Sequence, residues 1–229
     1  MRESLLTIPI SEIFEPKSGC PVCRMRDMLE GRTVEYIMGA AMMEPDVRIE
    51  TNRAGFCHTH LMQMMKQKNR LSLALMLQTH LDSVHKETFG KKKLFEAKNA
   101  RSVKLSRIKE SCFVCEKIDW GMSRLMRTLF EMYANEDFRK LYNEQEYICL
   151  PHCGMLLSIA SDYLKKDMLE RFTNDTSALS EKQLKLLYED VSQYCRMYDY
   201  RNTGKDADWG NSKDSIERSV TFLTGRKPD

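Results

Sequence analysis

The stretches GCPVC (residues 19–23) and GFCHTH (55–60) decide how this chain folds, because SCFVC (111–115) and ICLPH (148–152) restate them. Cys20, Cys23, Cys57 and His60 each recur 92 residues later, as Cys112, Cys115, Cys149 and His152. A single offset that carries four ligand-type residues onto four others marks a duplicated unit. Apolar positions follow the same offset: Val22 onto Val114, Met28 onto Trp120, Val34 onto Met126, Ile37 onto Leu129, Met38 onto Phe130, Met64 onto Leu156 and Met65 onto Leu157.

The residue types fix the chemistry. A CxxC pair turns two thiolates toward one point, and CxxH at the start of a helix sets a thiolate and an imidazole one turn apart on one face. Three thiolates and one imidazole complete a tetrahedral ion. The expected grouping is within each repeat: Cys20, Cys23, Cys57 and His60 around one ion, Cys112, Cys115, Cys149 and His152 around another. Loop closure permits it, since about 20 helical residues travel roughly 30 Å and an extended stretch from Glu44 to Phe56 returns on the order of 40 Å. Zinc suits Cys₃His, whereas iron–sulfur clusters more often take four cysteines. Neither CxxC is followed by His, as a c-type haem requires. His60 is preferred to its neighbour His58, whose offset partner is Leu150.

Helical periodicity fills the space between motifs. Met25, Met28, Leu29, Ile37 and Ala41 mark one helix, which Glu44-Pro45 closes because the residue before proline avoids the α region. Leu61, Met64 and Met65 face inward from the CxxH helix, and Leu73, Met76, Leu77, Leu81 and Val84 line the next, ending at Gly90. The second repeat reads alike, with Met122, Leu125, Met126, Leu129 and Tyr133, then Met155, Leu156, Ile159, Tyr163 and Leu164. Ser180-Glu-Lys-Gln183 has the form of a capping box opening a helix lined by Leu184, Leu187, Val191, Cys195 and Tyr198. A last helix runs from about Asp214 to Leu223, and the best extended piece is Leu5 to Ile10. The class is all-α, divided into a first repeat (1–90), a basic connector (91–110), a second repeat (111–200) and a C-terminal segment with a capping helix (201–229).

Composition excludes several roles. With 30% charged and 42% hydrophobic residues over 229 positions, the chain suits a globular protein and needs no disulfide framework. The N-terminus lacks a secretory signal and no stretch reaches the roughly 20 apolar residues of a membrane span, so the expectation is cytoplasmic, where cysteines serve as ligands. A net charge of +3 does not by itself indicate nucleic acid. Lys91, Lys92, Lys93, Lys98, Arg101, Lys104, Arg107 and Lys109 are a local basic concentration, which reads as a solvated connector or as a phosphate-binding patch. Sixteen methionines fall mainly on helical stripes, as core packing demands. Cys153 and Cys195 read as buried, and His80 and His85 do not share a helix face and form no chelating pair.

IPISEIFE (8–15) leading into GCPVC, then GFCHTH, CFVC and ICLPH, resembles an uncharacterised family of bacterial helical proteins with paired CxxC and GxCxxH motifs. The resemblance spans about Ile8 to Leu223. Some such proteins carry the label of transporter substrate-binding component, which the missing signal sequence argues against here, and the resemblance implies no established activity.

The functional expectation is a non-enzymatic protein holding two zinc ions in structural sites and serving as an interaction or ligand-binding module for a protein or small-molecule partner. A zinc-stabilised nucleic-acid-binding regulator and a redox or iron–sulfur protein are the alternatives. No catalytic constellation is visible.

Overall fold

A computed structural model describes residues 8–90, 99–199, 201 and 208–228. Among them the regular structure is helical throughout: α1 (Ile8–Phe14), α2 (Pro21–Met38), a 3₁₀ turn (Ala40–Met43), α3 (Pro45–Ala54), α4 (His58–Lys66), α5 (Arg70–Phe89), α6 (Ala100–Glu110), α7 (Phe113–Tyr133), α8 (Glu136–Asn143), α9 (Leu150–Tyr163), α10 (Lys166–Met197) and α11 (Ser215–Thr224). No described helix is long and apolar enough to cross a membrane. The helices α1, α2 and α4 begin 92 residues before α6, α7 and α9 respectively, so the order of helices α1 to α5 recurs as α6 to α10.

The compact units do not follow the repeats. One comprises Met1–Met25 with Arg124–Asp229, the other Arg26–Ser123. Each therefore combines segments from both repeats, and α2 and α7 contribute residues to both units.

In the first unit an aromatic cluster forms the centre. Phe172 meets Tyr133 edge-on at 4.8 Å, Phe130 at 5.0 Å and Tyr142 at 5.6 Å, and Phe14 stacks on Tyr142 at 5.8 Å. All are buried, and such tilted and edge-to-face pairs add specific attraction to the burial of large rings. Tyr142 Oη and Thr176 Oγ1 satisfy each other at 2.8 Å inside this core. Around it α10 packs against α8, α9 and α11. The second unit is aliphatic and sulfur-rich: Val34, Ile37, Met38, Met64, Leu73, Met76, Val114 and Ile118 cluster together, with α5 against α3, α4 and α6.

Four expectations change. The piece expected to be extended up to Ile10 is helical from Ile8, because Ile10, Ile13 and Phe14 fall on one helical face and are all buried; Leu5 to Thr7 lie outside the described residues. The helix expected to close at Glu44-Pro45 ends at Met38 and a 3₁₀ turn follows it, while Pro45 opens α3, in whose first turn its missing N–H costs nothing. Ser180 caps no helix, since α10 runs through it, and its hydroxyl donates to the carbonyl of Ile148 at 2.8 Å. Cys195 is exposed, as are Met65, Leu81, Leu184 and Tyr198; partner helices cover a narrower face than the apolar stripes suggest. The segment Lys91 to Lys98 lies outside the described residues, and Arg101, Lys104, Arg107 and Lys109 fall on helix α6.

Candidate metal centres

All eight expected ligands converge, in a different grouping from that expected. Cys20 and Cys23 meet Cys149 and His152, while Cys57 and His60 meet Cys112 and Cys115; within each set the ligand atoms lie within 4.8 Å of one another. The CxxC of each repeat thus joins the CxxH of the other. The reason lies in α3. The loop expected to return from the end of α2 is a ten-residue helix, which advances only about 15 Å and does not recover the roughly 27 Å that α2 travels.

Every centre is built at two helix N-termini. The carbonyls of Cys20, Cys57, Cys112 and Cys149 accept the first helical bonds, from Arg24, Leu61, Glu116 and Cys153, at 2.8 to 3.2 Å. The second ligand of each motif follows in the first turn. Pro21 and Pro151 stand in first turns too, where proline is tolerated. The positive ends of four helix dipoles therefore face the thiols, which favours thiolates.

Hydrogen bonds draw the motifs together across the chain. In the second unit Phe113 N donates to Gly55 O at 2.9 Å and Ser111 Oγ to Ala54 O at 2.8 Å. Gly55 has φ +63°, and a Cβ there would sit 2.8 Å from the His80 ring. Only glycine makes this turn. His80 itself is satisfied, its Nδ1 lying 3.0 Å from Asn52 O. In the first unit Gly19 N donates to Glu146 Oε2 at 2.5 Å, and Gln145 Nε2 to Phe14 O at 2.8 Å. One pair recurs with its roles exchanged: Arg53 Nη2 donates to Glu116 Oε2 at 2.6 Å, and at the positions 92 residues away Arg24 Nη2 donates to Gln145 Oε1 at 3.1 Å.

The spacing suits one tetrahedral ion per centre. Bonds of the usual zinc lengths place sulfurs about 3.8 Å apart and sulfur about 3.6 Å from nitrogen. In the first unit Cys23 Sγ is 3.6 Å from Cys149 Sγ, and His152 Nδ1 is 3.0, 3.3 and 3.7 Å from the sulfurs of Cys149, Cys23 and Cys20. In the second, His60 Nδ1 is 3.1, 3.2 and 3.5 Å from those of Cys57, Cys112 and Cys115. Both imidazoles present Nδ1.

The electrostatics of the thiols also call for a cation. Burial pushes the Cys112 thiol up, yet hydrogen bonding to His60 and to backbone N–H groups outweighs it and brings the value down to about 6. Its neighbour Cys115 is pushed up to about 12 by burial and then by the charge on Cys112. In the first unit burial of Cys20 is outweighed by hydrogen bonds from Cys149, Cys23 and His152, which hold it well below the ordinary thiol value. Cys149 rises to about 12, first through its hydrogen bond to Cys20. One thiolate forms readily in each cluster and then opposes the next, an opposition that a divalent cation removes.

His58 is exposed, Cys153 is buried but outside both clusters, and His85 packs against Phe89. Two contributors escaped the sequence reading. Glu30 Oε1 lies 2.8 Å from His60 Nε2. Gly225, closing α11 with φ +67°, brings its carbonyl oxygen 3.4 Å from Cys23 Sγ. Neither residue belongs to a ligand motif, so neither left a signal in the spacing.

No curated protein and no solved structure matches this chain. A family model does match, over residues 1–229, and the chain belongs to that family of unknown function, DUF6062.

Proposed function

We propose that this is a non-enzymatic, zinc-stabilised helical protein whose two Cys₃His centres are closed structural clasps, and whose helical surface serves as an interaction or ligand-binding module. The observation that carries the reading is the convergence, at the spacing of a single tetrahedral ion, of three sulfurs and one imidazole nitrogen from motifs up to 132 residues apart in sequence. Such a set binds one ion and leaves no coordination position for substrate. A multi-iron cluster distributes its ligands over separate irons, so a span under 4.8 Å favours a mononuclear ion.

Zinc would supply positive charge and four bonds, and no redox chemistry. The chain's own residues do the rest: the CxxC and CxxH turns orient the ligands, and the helix N-termini stabilise the thiolates. Eight free cysteines fit the reducing cytoplasm. The internal duplication gives a reason for two clasps, because each ties a segment of one repeat to a segment of the other. Elemental analysis of native protein should find two zinc ions per chain, with no labile sulfide. Chelation should then lower both helicity and melting temperature; a protein purified without metal that keeps its full stability would contradict the structural role.

A further inference from the structure

The two centres share the same ligand set, three cysteines and one histidine, but they differ in what stands behind the histidine. His60 is buried, with 5% of its side chain exposed, and Glu30 contacts its Nε2 at 2.8 Å with a carboxylate that is 20% exposed. With Nδ1 facing the three sulfurs and bound to an ion there, the proton would sit on Nε2, whose N–H would donate a hydrogen bond to Glu30 Oε1. A carboxylate in that position fixes the tautomer, holds the ring plane and makes the ligating nitrogen more basic.

No described residue does the same for His152. Its Nε2 has no hydrogen-bond partner among the described residues, and the ring is only partly buried. The duplication did not carry the carboxylate across either: the position 92 residues after Glu30 is Met122, which packs against the apolar core of the second unit. The first centre has a different neighbour. The Cys23 thiol donates to the carbonyl oxygen of Gly225 at 3.4 Å, a bond that is lost when the thiolate binds an ion, after which the negative end of the carbonyl dipole faces a negatively charged sulfur.

We propose that the two centres hold metal unequally, with Glu30 as the positioning residue that makes the Cys57, His60, Cys112 and Cys115 centre retentive, and with the Cys20, Cys23, Cys149 and His152 centre giving up its ion first. This rests on the reading of both clusters as zinc sites. The first centre is then exchangeable, able to release or take up a divalent cation while the second keeps its unit folded. Loss of a carboxylate behind a metal-bound histidine typically costs 10–100-fold in affinity, which sets the size of the expected contrast.

The test is competition between the zinc-loaded full chain and a chromophoric chelator, followed as zinc released against time and chelator concentration. Two phases of one ion each are expected. His152→Ala should abolish the early phase and His60→Ala the late one. Glu30→Ala should weaken the late-releasing centre by about 10–100-fold, moving its release toward an early phase that stays where it is, and Glu30→Gln, whose Oε1 still accepts a hydrogen bond from Nε2–H, should restore part of the loss. Cobalt substitution gives a readout that a role in folding alone would not move: Glu30→Ala should shift the visible bands of one cobalt and leave those of the other as in the unmodified chain. Release of both ions from the unmodified chain in one phase, or Glu30→Ala release kinetics and a cobalt spectrum identical to those of the unmodified chain, overturns the inequality while leaving two zinc sites standing. A purified chain that binds no zinc overturns this inference and the zinc reading together.

Discussion

Replacing Gly225 by alanine should disturb one metal centre and leave the other alone. Gly225 ends α11 in the left-handed region, with φ +67° and ψ 18°, and its N–H caps the carbonyl of Thr221 at 2.9 Å. An L-residue in that conformation costs about 1–2 kcal/mol. The added Cβ would also stand 3.3 Å from Cys149 Sγ, 3.7 Å from His152 Cε1 and 3.8 Å from Cys23 Sγ. It thus crowds Cys149 Sγ and comes into ordinary contact with His152 and Cys23, all three of them ligands of the first centre. If the whole cost falls on the docked, metal-bound state, zinc affinity at that centre drops about 5–30-fold. The melting temperature of the loaded protein drops roughly 2–8 °C, taking about 2–4 °C per kcal/mol for a chain of this size. Gly154→Ala supplies the control. Gly154 lies within α9 with nothing inside 4 Å of a built Cβ, so alanine there should stabilise by about 0.5–1 kcal/mol. Thermal unfolding of the two variants should shift in opposite directions, and chelator competition should show weaker zinc binding for Gly225→Ala alone. A Gly225→Ala protein that melts and binds zinc like the unmodified chain would refute the packing of α11 over the centre.

Two further substitutions probe what holds the first centre. Ser180→Ala removes the donor to Ile148 O, next to ligand Cys149, and leaves a buried carbonyl without that partner. A cost of about 1–3 kcal/mol, measured by urea unfolding, is expected with part of it appearing as weaker zinc binding; unchanged stability would mean that α10 does not anchor the Cys149 turn. Phe172→Ala empties the middle of the aromatic cluster and should cost about 3–5 kcal/mol, whereas Phe172→Leu should cost clearly less; equal losses would show that ring packing is not what holds that core.

The ligand set was legible from spacing, because metal chemistry restricts which residues stand three apart at a helix start, and a repeat of 92 residues separated His60 from His58. The pairing of the motifs was not legible. Spacing says which residues bind, but loop closure tests only whether a segment can return, and an extended reading of Glu44 to Phe56 let each repeat close on itself. Pro45 was the deciding residue: it reads as a stop, and it follows the end of the 3₁₀ turn, but it also starts α3. Helical class followed from periodicity, yet the buried faces of α5 and α10 are narrower than their stripes, so Leu81, Leu184 and Cys195 face outward. Glu30 was invisible for a different reason: a glutamate on a charged helix has no pattern until the imidazole it serves is placed beside it.

The cross-pairing of the repeats is tested most directly by zinc stoichiometry in double variants. Cys57→Ser with Cys112→Ser damages a single centre in the arrangement described here, so that protein should retain one zinc ion per chain. Cys20→Ser with Cys57→Ser damages both centres and should leave none bound tightly. Pairing within each repeat demands the reverse, and a Cys20→Ser, Cys57→Ser protein holding one ion while the Cys57→Ser, Cys112→Ser protein holds none would contradict the account.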